Sequence, residues 1–199
     1  MNYLMHLYLA GADPELQLGG LMGDFVKGPL GDRYPPGILA GLQLHRRIDA
    51  FAAANDHCRI SRQRLQPRFG HTRAVLVDIF YDHFLAVHWE EYHRQPLSNF
   101  ACEIYQLLDD NRPILPTGLA RIAPRMRDLD WLTSYRERRS VGTALQRMAT
   151  RLSRPTAMGE GVTELDRCGE KLEGDFRGFM TAAKAAGLSL YRAMPRHGG

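Results

Sequence analysis

The stretch PPGILAGLQLHRRIDAFAAANDHCRISRQRL, residues 35–65, decides the fold class of this 199-residue chain. Its apolar residues recur at near-helical spacing, and the proline pair at its start is typical of the first turn of a helix. We expect one long helix that begins at Pro35–Pro36 and runs to about Leu65, because Pro67 follows shortly after. The stretch therefore predicts a helical scaffold.

The remainder of the chain shows the same helical periodicity, and the period-2 alternation of strands is missing. Short loops join the predicted helices, so we expect one all-α domain over residues 1–199, with a frayed tail at 195–199. Beyond the long helix, we expect helices at about 14–26, 72–92, 97–108, 117–127, 129–138, 140–152 and 160–186.

The composition is that of a soluble globular protein, with 44% hydrophobic and 24% charged residues. It excludes a disordered chain, and no apolar run is long enough to span a membrane. The first residues also lack the pattern of a signal peptide. Cys58, Cys102 and Cys168 are odd in number and far apart, which predicts free thiols in a reducing compartment, the cytoplasm.

The net charge of +4 has an uneven distribution along the chain. Residues 111–155 hold ten arginines and three acids, whereas acids balance or exceed bases elsewhere. Arginine binds phosphate and carboxylate groups through two parallel hydrogen bonds, so this excess favours phosphates or an acidic protein as partners. A genomic bias toward arginine is an equally good explanation.

Four places embed acids or histidines in apolar sequence, where charged side chains are costly. Residues four apart share a helix face, and two carboxylates at that spacing repel each other unless a cation or an arginine lies between them. Each place alone has an ordinary structural explanation, but together they predict one metal site in the first 90 residues, built inside the bundle. The four places are His6; Asp24; His45 with Asp49; and Asp78 with Asp82 and His83.

The ligand types indicate which metal this site would hold. Carboxylates with imidazoles and no thiolate suit Mn²⁺, Mg²⁺ or Fe²⁺ better than a structural Zn²⁺. Such a metal lowers the pKa of a bound water and neutralises charge on a phosphoryl group. Arg46 and Arg47 offer guanidinium groups suited to a phosphate ester, with ordinary solvated arginines as the alternative. Phosphate-loop, dinucleotide and serine-hydrolase motifs are missing.

Four segments together resemble the acyl carrier protein phosphodiesterase family. The likeness is strongest over residues 1–90 and looser to about residue 190. The family is a divergent branch of the HD-domain phosphohydrolases, so the resemblance implies an HD-domain-like helical bundle. The segments are MNYLMHLYLA (1–10), GGLMGDFVKG (19–28), LHRRIDAF (44–51) and DIFYDHFLAVHW (78–89).

The resemblance implies a Mn²⁺-dependent reaction that hydrolyses the phosphodiester between 4′-phosphopantetheine and a serine of holo-acyl carrier protein, leaving the apo form. His6 and His83 would assist the metal or protonate the leaving serine oxygen. The sequence departs from the wider HD pattern, because three residues separate His45 from Asp49, and the number of metals stays open. The residues implied around the metal are Asp24, His45, Asp49, Asp78 and Asp82.

The resemblance also gives the arginine-rich stretch at about 111–155 a partner, since acyl carrier proteins are small and acidic. Opposite charges would steer and orient such a protein. The predicted docking residues are Arg136, Arg138, Arg139, Arg147 and Arg151.

Two other functions compete with this one. The first is an HD-type phosphohydrolase of a nucleotide or another small phosphoester. The second is a non-catalytic helical module that binds nucleic acid through its arginines. Buried acids disfavour the nucleic-acid module, because they are costly to keep and unnecessary for binding a phosphate backbone.

Overall fold

A computed structural model describes residues 1–188. Over those residues the chain forms α-helices and three short 3-10 segments, at 67–72, 112–114 and 157–160, and no β-strand. The all-α prediction is confirmed, and the HD-domain-like relationship stays a prediction. The helices are α1 Tyr3–Ala10, α2 Pro14–Met22, α3 Pro36–Ala54, α4 Asp56–Arg64, α5 Arg73–Val87, α6 Trp89–Tyr92, α7 Leu97–Asp110, α8 Thr117–Asp128, α9 Trp131–Ser134, α10 Arg138–Ala149 and α11 Thr163–Ala185.

Helix α1 is a core helix. Its residues from Leu4 to Ala10 are all buried, and it packs against α2, α3 and α5. The reason is that its sequence, YLMHLYLA, is apolar nearly all round, and a helix without a polar face is stable only inside the protein. This packing carries His6 into the interior.

Helices α2 and α3 cross with their backbones in contact. A Cβ atom at Gly19 would lie 2.3 Å from the carbonyl oxygen of Ile38, and a Cβ atom at Gly41 would lie 2.5 Å from that of Leu16. Only glycine permits so close a crossing. The crossing places the face of α3 that carries His45 against the end of α2.

The prediction of one long helix from Pro35 to Leu65 is wrong, because two helices occupy this stretch. Asn55 lies between them with an extended backbone (φ −75°, ψ 133°), and its Oδ1 accepts a hydrogen bond from the backbone N–H of His57 at 2.9 Å. This cap begins α4 and competes with continuation of α3. Helix α4 then packs against α3, α5 and α11.

Other predicted boundaries shift by smaller amounts. The predicted helix at 72–92 divides at His88 into α5 and α6, and the predicted helix at 129–138 shortens to α9. The second helix ends at Met22 rather than at residue 26. The predicted frayed tail lies outside the described residues.

Two expectations from composition can be compared with the structure. No cysteine forms a disulfide over the described range, as expected from their number and spacing. Among the helices described, none has the length and apolarity needed to cross a membrane.

Candidate metal centre

Three of the predicted site residues meet between α1 and α3. His6 comes from α1, and His45 and Asp49 come from successive turns of α3. Nε2 of His6 lies 3.2 Å from Asp49 Oδ1, and Nε2 of His45 lies 3.2 Å from Asp49 Oδ2. One donor atom from each residue falls within 4.8 Å of the others, a spacing that a single metal ion can bridge. We call these three residues the His–Asp group.

The ring of His45 is oriented by a hydrogen bond to α2. Nδ1 lies 2.8 Å from the carbonyl oxygen of Gly20, which can only accept, so Nδ1 carries the proton. If the imidazole is neutral, Nε2 presents its lone pair to Asp49 and, at 3.7 Å, to Oδ1 of Asp24. A lone pair that faces two carboxylates needs a cation between them, either a proton or a metal.

Gly23 makes room for this ring. A Cβ atom at position 23 would lie 2.2 Å from Cγ of His45, far inside van der Waals contact. In the sequence, Gly23 stands out only as part of the segment GGLMGDFVKG that carries the family resemblance. Its contact with the imidazole was not predictable, because it depends on the crossing of α2 and α3.

His6 is buried, and its one polar contact in the described range is with Asp49. The residue is 1% exposed; its Nε2 faces Asp49 Oδ1 at 3.2 Å without hydrogen-bond geometry, and its Nδ1 has no hydrogen-bond partner within residues 1–188. Burial lowers its pKa to about 4, so the ring is neutral at pH 7 and has a lone pair available. An unpaired buried polar group is costly, and a metal ligand bond would compensate for that cost.

Asp49 is the charged partner of both imidazoles. Its partial burial raises its pKa, but the interactions with His45, His6 and the Met1 amino group outweigh burial and hold the pKa well below its usual range. The carboxylate is therefore ionised throughout the physiological pH range. Two imidazoles and an ionised carboxylate form a donor set that Mn²⁺ or Fe²⁺ can bind, so these residues fit the metal that the family resemblance implies.

Asp24 and Asp78 border the same space. Together with Asp49 and Arg62 they line a cavity of about 290 Å³. The Met1 amino group lies 2.8 Å from Asp49 Oδ1 and 3.5 Å from Asp78 Oδ2, and burial raises the pKa of Asp78. The structure thus places both predicted acids beside the His–Asp group.

Arg62 is a functional candidate that the sequence analysis missed. It lies on α4, and within residues 1–188 its guanidinium group makes one hydrogen bond, 3.3 Å long, to the carbonyl oxygen of Ala53. It reaches the cavity because the chain turns at Asn55 between α3 and α4. The turn residues Asn55–Asp56 were the sequence signal that could have indicated this geometry.

Asp82 does not join the His–Asp group, contrary to the prediction. Its Oδ2 accepts hydrogen bonds from the backbone N–H of Leu4 (2.8 Å) and from Nδ2 of Asn2 (2.9 Å), and its Oδ1 accepts one from the N–H of Met5 (2.9 Å). The first N–H groups of a helix have no partner within that helix, so Asp82 caps α1. The side chain is fully buried, and burial raises its pKa to about 7.

His83 also lies apart from the group. Its Nδ1 is 2.7 Å from the carbonyl oxygen of Tyr135, and burial lowers its pKa. On α5 it follows Asp82 and points away from the face that carries Asp78, as the helical period requires.

The two predicted phosphate-binding arginines differ in position. Arg46 lines a second cavity, of about 360 Å³, together with His45 and Asp49. Its Nη2 donates to the carbonyl oxygen of Gly28 at 2.6 Å, so it holds the loop after α2. Arg47 is exposed and lines neither cavity.

Of the five predicted docking arginines, two contact other described residues of this chain through their guanidinium groups, two line a cavity, and one does neither. Arg136 donates from Nε to the carbonyl oxygen of Ala86 at 3.0 Å, and Arg138 forms an ion pair with Asp166. Arg147 and Arg151 line a third cavity, between α8, α9 and α10, whereas Arg139 is exposed and does not line it. Docking itself stays a prediction.

These features define the class: an all-helical protein in which two buried histidines and a half-exposed aspartate form a candidate site for a divalent cation. The acyl carrier protein phosphodiesterase family matches residues 1–183, and the chain belongs to this family.

Curated relatives carry the same description. The acyl carrier protein phosphodiesterase of Serratia proteamaculans (strain 568) is 29% identical over 177 residues, which cover 88% of this chain and 92% of the relative. The protein of the same name from Escherichia coli O139:H28 shows the same identity and coverage. No solved structure matches the chain.

Proposed function

We propose that this chain is a metal-dependent phosphodiester hydrolase that removes 4′-phosphopantetheine from holo-acyl carrier protein and leaves the apo form. The observation that carries the proposal is the convergence of His6, His45 and Asp49 in a chain of the acyl carrier protein phosphodiesterase family. The unpaired cysteines fit a reducing compartment, and we place the enzyme in the cytoplasm.

His6, His45 and Asp49 would hold the metal, with Asp24 and Asp78 alongside. This oxygen and nitrogen donor set suits Mn²⁺, with Mg²⁺ or Fe²⁺ as alternatives. When bound, such an ion lowers the pKa of a water and neutralises charge on a phosphoryl group. His6 is neutral at pH 7, so we assign it to metal binding rather than to protonation of the leaving serine.

Arg62 would position the phosphodiester. It lines the cavity of Asp24, Asp49 and Asp78, and apart from the bond to Ala53 its N–H groups have no hydrogen-bond acceptor in the described part of the chain, so they can bind a phosphoryl oxygen. In that position a guanidinium group also balances the negative charge of the neighbouring carboxylates. We therefore assign to Arg62 the role that the sequence analysis gave to Arg46 and Arg47.

The test is incubation of the purified protein with holo-acyl carrier protein and MnCl₂, followed by mass spectrometry. We expect the carrier protein to lose the mass of the phosphopantetheine arm, and we expect EDTA to stop the loss. His6→Ala should abolish both this conversion and Mn²⁺ binding while the helical circular dichroism spectrum is retained. The matched control is His71→Ala, which removes an exposed histidine and should behave like the wild type.

Three results would contradict the proposal. A His6→Ala variant that binds Mn²⁺ and turns over normally would remove the His–Asp group from the mechanism. Hydrolysis of free nucleotides without conversion of holo-carrier protein would favour a small-phosphoester hydrolase. Salt-sensitive RNA binding without any turnover would favour a nucleic-acid-binding module.

A further inference from the structure

A cavity of about 260 Å³ lies between α8, α9, α10 and the first turn of α1. Its wall is largely apolar and aromatic, and one of its residues, Leu129, is 45% exposed. A concave surface with a largely apolar wall is typical of a binding site, and Leu129 extends that apolar wall toward solvent. The apolar and aromatic wall consists of Tyr3, Ile122, Leu129, Trp131, Tyr135, Ala144 and Met148.

Three arginines, Arg125, Arg147 and Arg151, line the same cavity. All three are exposed, and their guanidinium groups make no ion pair or hydrogen bond with any residue that the structure describes. By contrast, the nearby Arg127 and Arg138 pair with acids of the same chain. Three unpaired guanidinium groups around one opening favour anions supplied by another molecule.

The composition of the cavity favours a protein over a small anion or a nucleic acid. Tryptophan, tyrosine, methionine and arginine are the residues enriched in the energetically important centres of protein interfaces. A free phosphate would use the arginines but would leave the apolar wall without a partner, and an RNA strand could stack bases only on its aromatic part, leaving Ile122, Leu129 and Met148 without a partner. An acidic helix with one apolar side chain would use both.

We propose that this cavity is an anchor pocket for the acidic carrier protein. An apolar side chain of a carrier-protein helix sits in the cavity, and flanking carboxylates pair with Arg125, Arg147 and Arg151. The identity of the partner rests on the proposed function, whereas the chemistry of the pocket rests on the residues that line it.

Tyr3 connects the anchor pocket to the His–Asp group. It lines the pocket, and it lies on α1 one turn before His6. About one turn of α1 therefore separates the wall of the pocket from a predicted metal ligand, and a carrier protein held at the pocket would lie next to the His–Asp group.

The first test compares two charge reversals. Arg147→Glu should raise KM for holo-carrier protein about tenfold or more, since the pairing becomes a repulsion, and should leave hydrolysis of bis(p-nitrophenyl) phosphate within about twofold. Arg94→Glu is the matched control, because Arg94 is exposed, lies outside the pocket and has no ion pair among the described residues. Equal rises in KM for both variants would overturn the proposal, since they would show a long-range effect of net charge.

The second test fills the cavity without changing charge. Ala144→Phe should raise KM for holo-carrier protein while bis(p-nitrophenyl) phosphate is hydrolysed as by the wild type. An unchanged KM for the carrier protein would eliminate the apolar anchor.

Binding of fluorescently labelled apo-carrier protein, measured by anisotropy, separates docking from catalysis. We expect the wild type and Arg94→Glu to bind alike, and Arg147→Glu and Ala144→Phe to bind at least about tenfold more weakly. If these four proteins bind the carrier protein as expected but the wild type does not hydrolyse it, the proposed function is refuted and the anchor pocket is not. Absence of wild-type binding, or RNA binding that depends on Arg147, would refute the anchor pocket.

Discussion

The imidazole of His45 packs directly against the backbone of Gly23, so closely that a Cβ atom at position 23 would lie 2.2 Å from its Cγ. The neighbouring Gly20 accepts a hydrogen bond from the same ring. One face of α2 therefore fixes both the position and the tautomer of a predicted metal ligand. This relationship makes Gly23 part of the candidate metal centre, although glycine offers no ligand atom.

Gly23→Ala should displace the His45 ring and weaken Mn²⁺ binding at least about tenfold, because loss of the groups that orient a ligand has effects of that size. Isothermal titration with MnCl₂ measures the change. Gly20→Ala is the control, since a Cβ atom there would meet its nearest neighbour at 3.8 Å, an ordinary contact. Equal Mn²⁺ affinity of the two variants would show that the ring position does not matter.

Asp82→Asn should lower the free energy of unfolding by about 2–3 kcal/mol, because an amide cannot accept all three hydrogen bonds that the buried carboxylate accepts. Urea denaturation measures this, and Mn²⁺ affinity should stay close to that of the wild type. Asp49→Asn should show the reverse pattern, with Mn²⁺ binding lost and a smaller effect on stability. If Asp82→Asn keeps the stability of the wild type but loses Mn²⁺ binding, Asp82 is a metal ligand after all, as the sequence predicted.

Arg62→Ala should lower kcat/KM about 10²–10³-fold, the usual loss when a group that stabilises phosphoryl charge is removed. The assay uses both holo-carrier protein and bis(p-nitrophenyl) phosphate, because a phosphate-positioning role affects both substrates alike. Arg47→Ala should change kcat/KM by less than about twofold, since Arg47 lines neither cavity beside Asp49. Similar losses in both variants would indicate a general effect of positive charge instead.

Glu164 predicts a pH dependence of stability. It is buried, its carboxylate accepts from the backbone N–H of Gln66 at 3.2 Å, and it pairs with Arg167. Burial raises its pKa, but these two partners outweigh burial and lower the pKa below its ordinary value. Because the folded-state pKa is below the unfolded one, the stabilisation is present at pH 7 and is lost as the pH falls through the folded-state pKa.

Glu164→Gln should therefore be less stable than the wild type at pH 7, by about 1.5–3 kcal/mol for lost hydrogen bonds to a charged group. The difference should shrink below about pH 4, near the unfolded pKa of glutamate. Urea denaturation across pH measures it, with Glu170→Gln, an exposed site on the same helix, as the control. A difference that is constant across this range would exclude ionisation of Glu164 as its cause.

Helical periodicity was sufficient to predict the fold class, because apolar spacing reports directly on which face of a helix is buried. It did not locate the break at Asn55, where a side-chain cap competes with a continuous helix. Arg62 was consequently placed in the wrong helix and was not recognised as a site residue.

For the site, the sequence identified polar groups in apolar surroundings but not their partners. Asp78 and Asp82 share a face of α5, yet the carboxylate of Asp78 lines the cavity beside the His–Asp group and that of Asp82 caps α1. That division depends on where α1 docks, which is a long-range packing property and has no signature in local spacing. His6 was recognised for the opposite reason, since a histidine in a fully apolar helix must be buried.

Helices α2 and α3 cross with their backbones in contact at Gly19 and Gly41, so the side of the candidate metal centre that carries His45 cannot shift outward or inward. An ion of a different radius could be accommodated only from the opposite wall, where Asp24 and Asp78 border open space. Laboratory selection for a new metal preference should accordingly yield exchanges at these two carboxylates and leave the glycines of the crossing untouched.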